Sequence, residues 1–336
     1  MFHTRLFIAV SCVLIIAMFL CLLVGRYPVT VSELMGALWH SPVQNFSAKA
    51  GLVYSLVHSV RLPRVLGAVL IGAALGVSGG AYQAVFRNPL VSPGMLGVLS
   101  GAGFGAALAI IFRGDGAMIG ASAFIGGIAA AGMGITIARI FNPYSIMMLI
   151  FGGLVSSAFF TALLSLLKFI ADPQGQLPDI VFWLLGTLAR LDMAQVQWLF
   201  VPVIGSIAVL SFSGKYLDAL AMGDEEAASL GVPVVMTRMA VIILATILAA
   251  MTVSLVGIIG WVGLIVPHIA RFMVGPVNRH VIPMSALVGG IFLLVCDTVA
   301  RDFSSQEIPI GIMTDLIGVM VFLVIIRFTS VKWDRG

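Results

Sequence analysis

Residues 217–233 read LDALAMGDEEAASLGVP, which is the most acidic stretch of a chain that is 60% hydrophobic and 10% charged. The stretch predicts a short helix in which Asp224 caps the start and the glutamates after it suit the positive end of the helix dipole. Gly231 suits a left-handed stop, and Pro233 prevents continuation. About two turns of helix are marginal alone in water, so an ordered helix here predicts docking on another protein. The alternative is an ordinary capped turn between two membrane spans.

The rest of the chain consists of apolar segments of spanning length joined by short polar segments. Mean hydropathy is +1.14 over 336 residues, a profile that soluble domains of this length do not have. We therefore expect a single transmembrane domain over residues 1–336, with the acidic loop at about 214–233. The net charge of +4 is dispersed and lacks the basic clusters that indicate nucleic-acid binding.

Ten segments are apolar over about the 20 residues that a helix needs to cross a bilayer. They are predicted at residues 6–24, 65–85, 95–112, 117–138, 146–170, 194–212, 234–256, 257–274, 281–300 and 308–327. The run 180–190 is apolar but too short, so we interpret it as a re-entrant or interfacial piece. The predicted fold class is all-α: a polytopic membrane protein of about ten transmembrane helices in a lipid bilayer.

An even number of spans places both termini on one side of the membrane. Positive residues favour the cytoplasm for that side by a small margin, with ten Lys and Arg on inner joints against eight on outer joints. The acidic loop is then cytoplasmic. Arg61 and Arg64 fall outside, where the positive-inside rule disfavours them, so they bind either lipid phosphate or an acidic partner.

Catalytic and metal-binding constellations are absent from the sequence. No phosphate-binding loop of the form Gly-x-x-x-x-Gly-Lys-Ser/Thr occurs, since Gly214 and Lys215 are followed by Tyr216. The three cysteines lack paired spacing, and the five histidines are scattered. We therefore expect no enzyme activity, no metal site and no cofactor in this chain.

Several motifs together resemble the membrane subunit of type II bacterial ABC importers, the FecCD-like permeases for iron–siderophores, haem, cobalamin and other metal chelates. In chain order they are RLPR at 61–64, RNPLVSPGMLG at 87–97, GIIGWVGLIVPHIAR at 257–271, DTVAR at 297–301 and EIPIG at 307–311. The resemblance implies a homodimer in the bacterial inner membrane with a translocation path along the dimer axis. It also implies two cytoplasmic ATP-binding subunits, which would hold ATP and Mg, and a periplasmic substrate-binding protein.

The same resemblance implies roles for particular residues. The residues expected to couple to the ATPase are Leu217, Gly223, Asp224, Glu225, Glu226, Ala227, Leu230 and Gly231. Those expected to dock the binding protein are Arg61, Arg64 and Arg301. Those expected at the cytoplasmic gate or along the path are Asn88, Leu90, Asn142, Tyr144, Ser145, Gly152, Gly153, Ser156 and Ser157.

The last span departs from the family pattern. Gly318 is followed by Val and Met instead of the usual Ala-Pro, so a proline kink is missing. Asp315 lies about two turns into this span, where an ionisable group is costly and usually faces the bundle interior or a cavity. An ion-coupled secondary transporter that uses Asp315 or Asp297 is therefore an alternative, and a structural scaffold is a third.

The transported substrate is predicted only as a class. The expected path lining is small and neutral, so recognition would rest mainly with the binding protein. Residues 171–183 resemble the branch of the family that includes molybdate importers as well as metal-chelate importers.

Overall fold

The computed structural model describes residues 2–39, 48–142, 144–303 and 306–333, and within these residues the secondary structure is helical, without strands. The α-helices are α1 (Phe2–Leu23), α2 (Val31–Trp39), α3 (Ala48–Leu56), α4 (Leu62–Phe86), α5 (Val98–Ile111), α6 (Gly116–Phe141), α7 (Ile146–Ile170), α8 (Gln176–Leu185), α9 (Met193–Phe212), α10 (Gly214–Met222), α11 (Asp224–Ser229), α12 (Val234–Val256), α13 (Val262–Val274), α14 (Asn278–Asp302) and α15 (Ile310–Trp333). A π-helical segment, Val57–Arg61, joins α3 to α4, and the 3-10 turn Pro93–Leu96 precedes α5.

Seven helical segments in the described part of the chain are long and apolar enough to cross a membrane. They contain α1, α4, α6, α7, α9, α12 and α14. The shorter apolar helices α5, α13 and α15 occupy the three remaining predicted spans. The prediction of an all-α membrane protein with about ten spanning helices is therefore confirmed. The short piece predicted at 180–190 is the separate helix α8, which ends where Gly186 adopts a φ of 73°.

Two of the predicted spans start late because their first residues are irregular. The span predicted from residue 95 begins as α5 at Val98, after Gly97 takes a left-handed conformation. The span predicted from residue 257 begins as α13 at Val262, because Gly257 and Trp261 both have positive φ. Irregular backbone at membrane depth is tolerated where protein covers it or water fills a cavity.

Helix α4 lies at the centre of the bundle and packs against α9, α12, α13 and α14. Glycines make this packing close: a Cβ atom on Gly72 would collide with the carbonyl oxygen of Gly289, and one on Gly79 with that of Gly263. Small residues allow such approach in lipid, where no hydrophobic force drives helices together. These contacts identify Gly72 and Gly79 as packing residues.

Candidate functional site

Charged residues meet at the two ends of the bundle. At one end α4 begins and α14 finishes, and Arg64 contacts Asp297; we call this the Arg64 end. At the other end α4 finishes at Phe86, and the short helices α10 and α11 follow α9. We call this the Asp224 end.

The loop at the Asp224 end contains α10 and α11, and the start of α11 differs from the prediction. Gly223, with a φ of 142°, precedes the helix, and no side chain caps the first turn. Asp224 is instead the first residue of α11, so the expectation that it caps the helix was wrong. Its carboxylate points to Arg238, because a buried guanidinium needs a charged partner more than an exposed turn needs a cap.

The end of α11 follows the prediction. Gly231 has a φ of 78°, the left-handed conformation that favours glycine. Its N–H donates to the carbonyl of Ala228 at 2.9 Å, and the N–H of Val232 donates to that of Ala227 at 3.0 Å. This pair of bonds satisfies carbonyls that would otherwise lack partners at a helix end. The left-handed stop at Gly231 is therefore confirmed.

The residues predicted to couple to an ATPase divide into two sets. Leu217 and Ala227 are fully buried and hold the loop on the bundle, and Gly223 is also buried. The others at least partly reach the surface: Asp224, Glu225, Glu226, Leu230 and Gly231.

Sequence reasoning missed three residues of this loop and its flanks. Met222 and Met236 are about two-thirds exposed, at 65% and 71%, and add exposed apolar side chains to the loop and its flank. Asp218 accepts hydrogen bonds from the backbone N–H and the Nδ2 of Asn278, at 2.7 and 2.9 Å, and ties α10 to the start of α14. The sequence did contain a signal for an exposed apolar surface here, since two methionines flank the acidic helix.

Asp224 lies between two arginines. The Nη2 of Arg238 is 2.5 Å from the Oδ1 of Asp224, and the Nη2 of Arg87 is 3.4 Å from the same oxygen. Arg238 is 2% exposed, and its Nη1 also donates to the carbonyl oxygen of Tyr144 at 3.1 Å. A charged residue within the predicted span 234–256 was the signal for Arg238.

The two joints predicted to form the gate both lie at this end. The Oδ1 of Asn88 accepts the N–H of Leu90 at 2.9 Å, and the Oδ1 of Asn142 accepts the N–H of Tyr144 at 3.0 Å. Ser145 caps α7 through the N–H of Met148. Leu90 and Tyr144 expose their side chains.

One further residue of the second joint, Pro143, lies outside the described residues. The asparagine bonds shape both joints as tight turns.

The residues expected along the path pack mostly within the subunit, and their role along the path stays a prediction. A Cβ on Gly152 would collide with the carbonyl oxygen of Gly134, and a Cβ on Gly153 would collide with that of Met95. Ser156 is fully buried and donates to the carbonyl of Ala130 at 2.6 Å. These three residues face into the subunit because α7 needs small side chains to approach its neighbours.

Ser157 alone among the four is partly exposed. Its Oγ lies 3.1 Å from the Oγ of Ser100, which in turn accepts a hydrogen bond from the exposed Thr161. These three hydroxyl groups form a polar string on the open side of α7.

The three arginines expected to dock a binding protein do lie at one end, but they are buried at 3%, 5% and 8% exposure for Arg61, Arg64 and Arg301. Arg64 donates through Nε to both oxygens of Asp297, at 2.9 and 3.1 Å, and through Nη1 to Glu307 at 2.9 Å. The Nε of Arg301 lies 3.3 Å from Asp297.

Arg61 binds the last turn of α1. It donates to the carbonyls of Leu22, Leu23 and Tyr27 at 2.6, 3.0 and 2.5 Å. A cation at a helix C-terminus is favourable, since the last carbonyls lack helical partners. Groups within the subunit therefore already bind these side chains. Their docking role stays a prediction.

The two acidic residues of the ion-coupled alternative have different surroundings. Asp297 is fully buried and paired with Arg64 and Arg301. Asp315 is exposed on α15 and lies beside Gly260, and no ion pair to it forms within the described part of the chain.

A cavity of about 470 Å³ opens at the Arg64 end, between the α5–α6 turn and α8. Its charged lining consists of Arg113, Asp172, Asp179 and Arg190. Arg113 and Arg190 are both exposed, unlike the three buried arginines. Sequence reasoning counted them as outer positive residues without assigning a role.

Comparisons with known proteins agree with this architecture. The model of the FecCD transport family matches residues 13–328. The molybdate import system permease protein MolB of Haemophilus influenzae is 37% identical over 341 residues, which cover 99% of this chain and 97% of MolB. The hemin transport system permease protein HmuU of Yersinia pestis is 36% identical over 279 residues, 79% of this chain and 81% of HmuU.

A solved structure is also similar over nearly the whole chain. It is an inward-facing conformation of a metal-chelate type ABC transporter, 36% identical, with a TM-score of 0.85. The match covers 96% of this chain and 99% of that one.

Proposed function

The chain belongs to the FecCD transport family, and from this premise we propose that it is the permease subunit of an ATP-driven, binding-protein-dependent importer. It acts as a homodimer in the bacterial inner membrane, with both termini in the cytoplasm. Two cytoplasmic ATP-binding subunits bind the ATP and Mg, and a periplasmic binding protein delivers the substrate. The substrate is a metal chelate of the iron–siderophore, haem or cobalamin type, or molybdate.

The α10–α11 loop is the observation that carries this proposal. A six-residue helix is too short to be stable alone. Here Gly223 precedes the helix and the left-handed Gly231 follows it, and the buried side chains of Leu217 and Ala227 anchor the loop on the bundle. The side chain of Leu230 and the glutamates of its first turn point outward. A preformed helix with exposed apolar and acidic side chains is suited to the groove of a partner, because its existing order lowers the entropy cost of binding.

A second subunit would cover the open face of α7. Phe151, Leu154, Val155 and Phe159 lie on this face, and each is about half exposed or more. Helices in a bundle place side chains three and four apart on one side, so these residues form one apolar stripe. The hydroxyl groups of Ser157 and Thr161 on this helix bond to Ser100 on α5, and this polar string supports a path along the dimer axis.

The Arg64 end is where a binding protein would arrive. Glu307 keeps 40% of its side chain exposed, and Arg113 and Arg190 are open at the same end. Exposed charges of this kind mainly set the association rate and its salt dependence. The buried arginines Arg61, Arg64 and Arg301 would then stabilise this end of the bundle.

Nothing in the site favours the ion-coupled alternative. Asp297 already has two arginine partners, so a carried ion would have to displace them. The relatives named above are permeases of import or transport systems.

Reconstitution tests the proposal. The chain is placed in liposomes with an ATPase subunit and a binding protein encoded beside it, and uptake of an iron–siderophore, haem, cobalamin and molybdate is measured. We expect uptake of one of them that needs ATP and all three components. A matched control carries a substitution of the phosphate-loop lysine in the ATPase. Nucleotide turnover by the purified chain alone, or uptake driven by a proton or sodium gradient without ATP, would contradict the proposal.

A further inference from the structure

Three segments that are far apart in sequence meet at the carboxylate of Asp224. Asp224 begins α11, Arg87 follows α4 at the first predicted gate joint, and Arg238 lies on α12. Arg238 continues the chain of contacts to the carbonyl of Tyr144, in the second predicted gate joint. The loop at the Asp224 end is thus bound by charge to both joints.

The guanidinium group of Arg238 is suited to such a link. Its planar fork carries two partners at once, the carboxylate of Asp224 on Nη2 and the carbonyl of Tyr144 on Nη1. Because the fork is rigid, a displacement of one partner moves the preferred position of the other. Because Arg238 is only 2% exposed, the surrounding side chains hold it in place on α12 while it contacts both partners.

Arg87 makes the corresponding link to the first joint. Its backbone has a φ of 50°, a left-handed conformation that ends α4 and turns the chain toward Asn88 and Leu90. Arg87 and Asp224 each leave 37% of the side chain exposed. Partly exposed ion pairs contribute little net stability, so this contact can open and close without unfolding the loop.

The side chain of Asp224 makes these contacts and does not cap α11. An aspartate at the start of a helix normally accepts a backbone N–H of the first turn, and here it does not. The residue type thus serves the tertiary contact and not the capping of α11.

We propose that Asp224 is a positioning residue that transmits movement of the α10–α11 loop to the two gate joints, through Arg87 to the joint of Leu90 and through Arg238 to the joint of Tyr144. The inference rests on the proposed function, because a partner ATPase must move the loop. It adds the path that the movement takes.

Distance measurements between spin labels test this path. In a background in which the three native cysteines are alanine, a single cysteine replaces Leu90 or Tyr144, so that the homodimer carries one label pair. The full complex with its ATPase is placed in lipid nanodiscs, and distance distributions are recorded with and without ATP. The ratio of the gate equilibrium constants in the two conditions is the coupling factor.

Each variant has its own expected pattern. Asp224→Asn should lower the coupling factor by about tenfold at both reporters, within the range usual for coupling between protein sites. Arg87→Gln should lower it at Leu90 alone, and Arg238→Gln at Tyr144 alone. If Arg238→Gln fails to fold, Arg238→Lys replaces it, because an ammonium group still reaches Asp224 but lacks the fork.

Asp218→Asn is the matched control, since it removes a charge from the same loop but keeps an acceptor for Asn278. Its coupling factors should equal those of the wild type. Wild-type factors in Asp224→Asn, or equal losses at both reporters in every variant, would overturn the inference while leaving ATP-driven gating intact. A wild-type complex whose gate ignores ATP would instead remove the proposed function, and the inference with it.

Discussion

The two ends of the bundle each contain a cluster of one aspartate and two arginines, but the two clusters differ in solvent exposure. Each has one aspartate shared by two arginines: Asp297 with Arg64 and Arg301, and Asp224 with Arg87 and Arg238. Asp297 is fully buried between the long helices α4 and α14, whereas the side chain of Asp224 is 37% exposed on a six-residue helix.

This difference separates a fixed cluster from a movable one. Removing one partner of a buried ion pair leaves an uncompensated charge in a medium of low polarity, so the pair holds its helices strongly. A partly exposed pair is screened by water and can break at little cost. Burial, and not the kind of residue, thus decides which end is rigid.

The largest effect is expected from Asp297→Asn. The substitution keeps the shape of the side chain but removes the negative charge between Arg64 and Arg301. It should destabilise the fold by about 3–5 kcal/mol. Thermal unfolding of the detergent-solubilised protein measures the loss. Asp302→Asn is the control, since Asp302 is exposed on the same helix. Equal unfolding temperatures of the two variants would show that the Arg64 end is not a fixed cluster.

Gly231→Val tests whether the Asp224 end depends on backbone geometry instead of buried charge. Nothing lies within 4 Å of the added Cβ, so the cost is the left-handed backbone alone, about 1–2 kcal/mol. If that strain opposes the docked loop, binding of the ATPase should weaken by about 5- to 30-fold.

Titration of the reconstituted chain with its ATPase subunit measures this effect. Gly205→Val makes the same change at another open position, inside α9, and should bind as the wild type does. Wild-type affinity for the ATPase in Gly231→Val would show that the loop is an ordinary turn.

Glu307→Gln should have a smaller effect than Asp297→Asn, although both residues contact Arg64. Glu307 is 40% exposed, and a pair of this kind contributes about 0.2–1 kcal/mol. The same unfolding assay, repeated at high salt, should show that this small difference disappears as screening increases. A loss as large as that of Asp297→Asn would mean that exposure does not rank these contacts.

The smallest effect is expected at the surface pair Glu33–Lys49, whose charged atoms are 2.6 Å apart. Hydrogen bonds from Lys49, which is the largest cause, and from Thr30 lower the pKa of Glu33 from 4.5 to about 2. The pair therefore stabilises the link between α2 and α3 above pH 4.5, and this contribution is lost as the pH falls towards 2.

Lys49→Gln should return the pKa of Glu33 most of the way to its usual value, as measured by carbon-13 NMR titration of the glutamate carboxyl. Lys168→Gln, on α7, serves as the control. An unchanged pKa in Lys49→Gln would assign the shift to the hydrogen bonds from Thr30 instead.

Local patterns in the sequence were sufficient for much of the fold. Runs of apolar residues predicted the spans because a bilayer imposes a length on any helix that crosses it. Gly231 predicted the end of α11 because the left-handed conformation depends on the residue itself. The motifs at 61–64 and 87–97 were enough to indicate the family, since their order and spacing can be read without coordinates.

Contacts between distant residues were beyond the sequence. Asp224 was predicted to be a cap because its partner Arg238 is 14 positions away along the chain. The pairing of Arg64 with Asp297, 233 positions away, could not be predicted either. Nor could the close contact of Gly152 with Gly134 on α6. Sequence determines which residues can be helical, capped or charged, because these properties are local. Only the tertiary structure decides which side chains face inward and which charges pair, because burial and pairing depend on the packing of the whole bundle.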